Sequence, residues 1–166
     1  MIGRILSAVA VLALAALPTA ASPGTRPCLS GQEQAAVHVR LLQTELMMAG
    51  LSCGRTEYVS RYNLFVQKFR PQLVSHATAL KDYFARRYGA GGTRQLDSFV
   101  TKVANAASQR SMTAPDFCTA AGKLLDAVLV AEPAQLAELS ARQAFAATSG
   151  FEACSPKTRQ AAGTTP

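Results

Sequence analysis

Four cysteines constrain what this chain can fold into more than any other feature of its sequence: Cys28, Cys53, Cys118 and Cys154. No two of them form a Cys-x-x-Cys pair, and the two histidines lie apart from them along the chain. Structural metal sites usually need such pairs, so the sequence predicts no metal site. In an exported chain an even cysteine count instead predicts disulfides, here two, with three possible pairings.

The first residues have the features of an export signal. A positive charge at Arg4 precedes an uncharged apolar run over 5–17, and small residues at Thr19 and Ala21 suit cleavage before Ser22. A membrane anchor is the alternative, but it needs about 20 apolar residues, and this run is shorter. We therefore predict a cleaved signal peptide over residues 1–21, no transmembrane segment after cleavage, and a periplasmic or secreted protein.

The first predicted helix follows this signal. Ser30 and Glu33 form a capping box, and the helix should run to about Ala49, where Gly50 and then Cys53-Gly54 break it. Apolar residues lie in two stripes on different sides of this helix, which is typical of a helix at the centre of a bundle. Hydrophobic residues make up 49% of the chain, many of them alanine, and this composition favours helix over sheet.

The second predicted helix is long and contains a proline. Apolar residues from Tyr58 to Phe84 fall within one arc of a helical wheel, and the arc continues through Pro71 without a loop. Proline removes one backbone donor, so we predict a single helix that is kinked at Pro71 and ends at the glycines of 89–92.

Three shorter helices should complete the fold. They are predicted from Thr93 to about Arg110, from the Pro115 cap to about Ala131, and from Pro133 to about residues 148–150. Residues 155–166 are polar and lack apolar periodicity, which predicts a disordered tail. The expectation is an all-α, antiparallel up-and-down bundle of about five helices in a single domain over 22–154.

This plan selects one disulfide pairing. A continuous first helix holds Cys28 and Cys53 roughly 27 Å apart at about 1.5 Å per residue, whereas a disulfide needs Cα atoms within about 7 Å. Up-and-down topology brings Cys118 to the end of the bundle where Cys53 lies. We therefore predict Cys53–Cys118 and Cys28–Cys154, although strict alternation requires the last segment to turn back before Cys154.

The positive charge of the chain is concentrated in one segment. Residues 55–94 contain eight basic and two acidic side chains, while the whole chain after position 21 contains sixteen basic and ten acidic ones. The excess of this segment thus equals that of the chain, which suggests an anionic partner. A solvated basic face is the alternative. Glu57 precedes Arg61, and Asp82 precedes Arg86, at the spacing of helix ion pairs.

The remaining basic residues are the candidate site. Its predicted centre is the glycine loop flanked by Arg86, Arg87 and Arg94, where mobile backbone would let guanidinium groups reach phosphate or carboxylate. The candidate binding residues are Lys68, Arg70, Lys81, Arg86, Arg87 and Arg94.

Motifs that would name a reaction are not found in the sequence. It contains no zinc-protease, nucleophile-elbow or phosphate-loop pattern, and the glycines of 89–92 are explained as a helix end. Asp97 and Asn105 share a polar helix face that should be solvated, and His38 and His76 are interpreted as ordinary, partly buried histidines. We expect a protein that is not an enzyme and has no cofactor.

The sequence thus favours an exported helical protein that binds an anionic envelope component: a lipid head group, an envelope polymer or an acidic protein face. One alternative is a structural or assembly subunit that docks a partner through an apolar helix face. Another is an enzyme that uses Asp97 and Asn105 in a pocket. Specific nucleic-acid binding is not expected of an exported protein, and the oligomeric state is left open.

Overall fold

A computed structural model describes residues 28–54, 56–143, 151 and 154. These residues form six α-helices and two short 3₁₀ turns, at Gly89–Gly91 and Pro133–Gln135. The helices are α1 (Gly31–Ser52), α2 (Thr56–Lys68), α3 (Arg70–Tyr88), α4 (Gly92–Thr113), α5 (Phe117–Val130) and α6 (Leu136–Ala141).

Helix α1 is the centre of the bundle, as its two apolar stripes predicted. It packs against all five other helices, and Val37, Leu42 and Leu46 on its different sides are almost fully buried. The predicted capping box is present: the Glu33 N–H donates to Ser30 Oγ, and the Ser30 N–H donates to Glu33 Oε2. The predicted break at Cys53-Gly54 is confirmed, because Cys53 is the C-cap and Gly54 has a φ of 65°, but Gly50 does not break the helix. The helix continues to Ser52, and Gly50 packs against α2.

Helices α2 and α3 form the predicted long helix with a break at Phe69. The Phe69 N–H donates to the Phe65 carbonyl, and the Leu73 N–H donates to the Phe69 carbonyl. Hydrogen bonding therefore passes through the break, while Pro71 has no N–H for the Gln67 carbonyl. Phe65 and Phe69 are fully buried, with ring centroids 5.4 Å apart.

Helices α3 and α4 pack side by side after the turn at Gly89–Gly91. Gly89 has a φ of 53°, a conformation that glycine adopts easily. Gly92 makes the close contact, because a Cβ there would lie 2.8 Å from both the Ala85 Cα and the Phe84 carbonyl oxygen. The absence of a side chain at Gly92 thus sets how tightly the two helices meet.

The disulfides confirm the predicted pairing. Cys53–Cys118 joins the C-terminal end of α1 to the start of α5, with Cα atoms 5.6 Å apart. Cys28–Cys154 has Cα atoms 4.8 Å apart. The chain therefore returns to the start of α1 by Cys154, whose N–H donates to the Leu29 carbonyl. Near it, Phe151 packs against the buried rings of α3 and α4.

The predicted fold class is thus confirmed: an all-α bundle with one long proline-kinked helix and two disulfides. Within the described part of the chain, no helix is both long enough and apolar enough to span a bilayer. The predicted last helix is too long: it begins with the 3₁₀ turn at Pro133 and ends at Ala141 rather than near 148–150. The predicted signal peptide at 1–21 and the tail at 155–166 lie outside the described residues.

Candidate functional site

Arg86, predicted as part of the site centre, is held by the start of α1. Its guanidinium pairs with Glu33 Oε1, while Glu33 Oε2 accepts the Ser30 N–H. The predicted pair with Asp82 is wrong. The exposed Asp82 offers only a solvated surface pair on the same helix, whereas Glu33 is buried and already fixed by its cap, so less conformational freedom is lost when Arg86 binds it.

Two cations of α2 are also bound to neighbouring helices. Arg61 pairs with Asp126 of α5 and donates to the Gly122 carbonyl, so the predicted Glu57–Arg61 pair is wrong as well. The Lys68 ammonium donates to the Leu129 carbonyl at 2.6 Å and lies 5.5 Å from the centre of the Phe69 ring. Lysine suits the carbonyls at a helix C-terminus, and this contact connects Lys68 to the end of α5.

Four of the six candidate residues form neither an ion pair nor a side-chain hydrogen bond with any other described residue: Arg70, Lys81, Arg87 and Arg94. Arg70, Lys81 and Arg94 are exposed, and the Arg87 guanidinium lies 5.8 Å from the centre of the Tyr88 ring. Their charge is therefore available to a partner. The exposed carboxylates on the same helices are Asp82 on α3 and Asp97 on α4.

The structure places five of the six predicted residues at the two ends of α3 and the sixth, Lys81, between them. Arg86, Arg87 and Arg94 lie around the turn between α3 and α4. Arg70 lies at the opposite end of α3, roughly 24 Å away at about 1.5 Å per residue. Lys81 lies between the two ends of α3. It follows Arg70 by eleven residues, about three turns, and so lies on nearly the same side of the helix. Lys68 and Arg70 flank the break in the long helix, so the predicted residues do not converge on a single point.

At that break, a groove runs between α1 and the two halves of the long helix. It consists of two neighbouring cavities of about 80 and 250 Å³, which share Arg40, Gln43, Leu73 and Ala77 as lining residues. We call this feature the kink groove. Its smaller cavity extends toward α4, and its larger cavity opens beside Arg70. Val66 before the break and Leu73 after it both line the larger cavity.

The kink groove is lined by cationic, amide and apolar side chains. Arg40, Gln43, Arg70 and His76 supply the polar groups, and no carboxylate is among the lining residues of either cavity. The remaining lining side chains are aliphatic: Ala36, Val39, Val66, Leu73, Val74, Ala77, Leu80 and Leu96.

Arg40 is the most unusual member of the groove. One of its terminal nitrogens donates to Gln43 Oε1 at 3.3 Å, but its Nε is buried and has no acceptor. A buried N–H without an acceptor costs about 1–3 kcal/mol, so this guanidinium is incompletely satisfied as it stands. Arg40 was not among the residues predicted from the sequence. A usable signal was present, because a basic residue on a central helix must be partly buried.

His76 was predicted to be an ordinary, partly buried histidine, and the structure adds that it lines the smaller cavity of the groove. Burial lowers the pKa of His76, because the charged imidazolium loses hydration there. At neutral pH the groove therefore holds two fixed positive charges and a neutral imidazole.

The two alternative sites gain little from the structure. Asp97 and Asn105 are both exposed on α4. Large exposed apolar side chains are spread over five helices, and no described helix carries more than two of them. They are Leu51 of α1, Val59 and Leu64 of α2, Val74 and Tyr88 of α3, Met112 of α4 and Val130 of α5.

Fold and site together define a disulfide-linked helical bundle with a cationic groove. The two disulfides indicate an oxidising compartment outside the cytoplasm. No protein-family model, curated protein or solved structure matches the chain.

Proposed function

We propose that this is an exported, non-enzymatic binding protein of the periplasm or the extracellular space, with an anionic envelope component as its partner. The observation that supports this best is the set of cations on α3 and at the start of α4 that have no carboxylate partner among the described residues: Arg70, Lys81, Arg87 and Arg94. Exposed cations without partners attract an anionic surface at low salt.

Three of the residues predicted from the sequence are less suited to testing this proposal than their charge suggests. Arg86 and Lys68 already satisfy groups of the protein itself, so their neutralisation would disturb the fold as well as any binding. Lys81 has no such partner but lies alone on the middle of α3. The variants that test the proposal should therefore leave Arg86 and Lys68 intact.

The test is co-sedimentation of the oxidised protein with anionic and neutral vesicles, each at low and high salt. We expect binding to anionic vesicles only, with loss at high salt and in the double variant R87Q/R94Q. K102Q/K123Q is the matched control, because it removes the same charge from exposed positions on α4 and α5. Equal loss of vesicle binding in both double variants would show that binding depends on net charge alone and not on the positions of Arg87 and Arg94. Absence of binding to anionic vesicles and to a soluble acidic polysaccharide would contradict the proposal.

A further inference from the structure

We infer that the kink groove binds a single-chain amphiphile with an anionic head, of the long-chain carboxylate type. This inference rests on the proposed function, because it specifies the chemistry of an anionic partner, but it concerns a different place from the turn between α3 and α4. The head would bind between Arg40 and Arg70, and the chain would lie along the aliphatic lining.

Charge complementarity identifies the head group. Arg40 of α1 and Arg70 of α3 line the same cavity, and the amide of Gln43 lies beside them. None of the lining residues is acidic, so these guanidinium groups have no competing carboxylate within the groove. A carboxylate accepts two parallel hydrogen bonds from arginine, which gives this head a geometric advantage over a neutral polar one.

Arg40 provides an independent reason to expect an acceptor. Its buried Nε has no hydrogen-bond partner among the described residues, and its one side-chain contact, to Gln43, is long at 3.3 Å. A bound anion would let the guanidinium turn and satisfy the donors that it now leaves unmatched. Little protein–protein hydrogen bonding would be lost in exchange.

The aliphatic lining distinguishes an amphiphile from a small inorganic anion. Val66, Leu73, Val74 and Ala77 line the cavity beside Arg70, and Val74 is 60% exposed. A phosphate ion would leave this surface in contact with water, whereas an alkyl chain would cover it. Small-molecule sites usually enclose about 300–1,000 Å³, and the two cavities together lie near the lower limit, which suits one chain better than a two-chain lipid.

The experiment is calorimetric titration of the full oxidised protein with dodecanoate below its aggregation concentration. Three further probes each change one property of dodecanoate. Butanoate shortens the chain, dodecyltrimethylammonium reverses the charge of the head, and inorganic phosphate is an anion without a chain. We expect saturable binding of one dodecanoate per protein, with at least tenfold weaker binding of each other probe. R40Q and R70Q should each weaken dodecanoate binding about tenfold or more, while R87Q/R94Q should leave it unchanged.

A steric variant separates the groove from general electrostatics. Ala77 lines both cavities and is itself exposed, so A77F should fill the groove without disturbing the core. We expect A77F to abolish dodecanoate binding, keep the wild-type circular dichroism spectrum and still bind anionic vesicles. Dodecanoate binding that survives A77F, R40Q and R70Q would overturn the inference.

The two proposals can fail separately. Vesicle binding without dodecanoate binding would overturn the inference and leave the proposed function standing. Phosphate that binds as tightly as dodecanoate would also overturn it, because the chain would then contribute nothing. Failure of vesicles, polysaccharide and dodecanoate alike would remove both proposals.

Discussion

The Glu33 carboxylate has two structural roles at once. One oxygen accepts the Ser30 N–H as part of the α1 cap, and the other accepts from Arg86 of α3. Burial pushes the pKa of Glu33 upward, but the hydrogen bonds from Ser30 and Arg86, together with the Arg86 charge, outweigh it and hold the pKa below its usual value. The ionised carboxylate is therefore the form that the fold stabilises.

This arrangement predicts an acid-sensitive contribution to stability. Because the folded pKa is lower than the unfolded one, the contribution is present above about pH 4.5 and is lost as pH falls through the folded pKa. E33Q should reduce the free energy of unfolding by about 1–3 kcal/mol at pH 7, measured by urea titration, with a smaller difference at pH 3. D82N is the control, since Asp82 is exposed and pairs with no described residue; a loss in D82N equal to that in E33Q would contradict the assignment.

His76 gives a second pH dependence, in a higher range. Burial lowers its folded pKa below the unfolded value of about 6.5, so the unfolded chain binds the proton more readily. Above the unfolded pKa, His76 is neutral in both states and the folded state keeps its full stability. As pH falls toward the folded pKa, protonation of the unfolded chain lowers the free energy of unfolding.

Thermal unfolding between pH 8 and pH 5 measures this effect. The wild type should lose stability on acidification, and H76Q should lose less over the same range. H38Q controls for removal of an imidazole from another helix. Parallel pH profiles for the wild type and H76Q would show that His76 does not carry the effect.

At the scale of elements, the contact between α3 and α4 depends on one glycine. A methyl group at Gly92 would meet backbone atoms of Phe84 and Ala85, which cannot move away without separating the helices. G92A should therefore destabilise the fold by about 1–3 kcal/mol in urea titration. G91A is the matched control, because a Cβ at Gly91 meets nothing within 4 Å. Equal stability of the two variants would contradict this reading of the turn.

Elements governed by local chemistry were predictable, and those governed by neighbouring helices were not. Caps and proline act within a few residues, so the start of α1 and the kink at Pro71 could be read from the sequence. Gly50 lies inside α1 and packs against α2, a contact between helices that the local sequence does not show. Arg61 and Arg86 were misassigned for the same reason, since their partners lie on other helices.

The candidate site follows the same division. The excess of charge on residues 55–94 was visible in the sequence, and four of the six predicted cations form neither an ion pair nor a side-chain hydrogen bond with described residues. The kink groove was not visible, because its lining joins residues of α1, α2, α3 and α4 that no periodic pattern connects. Arg40 and Arg70 line one cavity only through the packing of α1 against the break.

At the scale of the whole molecule, the disulfide pairing was predictable because a helix is rigid. The length of α1 excluded Cys28–Cys53, and the up-and-down order of the helices selected between the two remaining pairings. The return of the chain to Cys154 follows from that covalent bond, and a helix count alone could not have located it.

The two disulfides should contribute separately to stability. C53S/C118S and C28S/C154S should each reduce the free energy of unfolding by about 2–5 kcal/mol, because each bond closes a long loop in the unfolded chain. Urea titration under non-reducing conditions measures both variants, and the wild type with reduced thiols should resemble their combination. A wild-type midpoint in either double variant would show that its disulfide is dispensable.

The nesting of these bonds also determines what a protease could do to the protein. Cys28–Cys154 makes the chain between those residues a closed covalent ring, and Cys53–Cys118 forms a second link across it. A single cut anywhere between residues 54 and 117, including the glycine turn at Gly89–Gly91, leaves two fragments joined by both bonds. A single cut elsewhere in the ring leaves them joined by Cys28–Cys154. One cleavage event between Cys28 and Cys154 would thus nick this molecule without releasing any part of it.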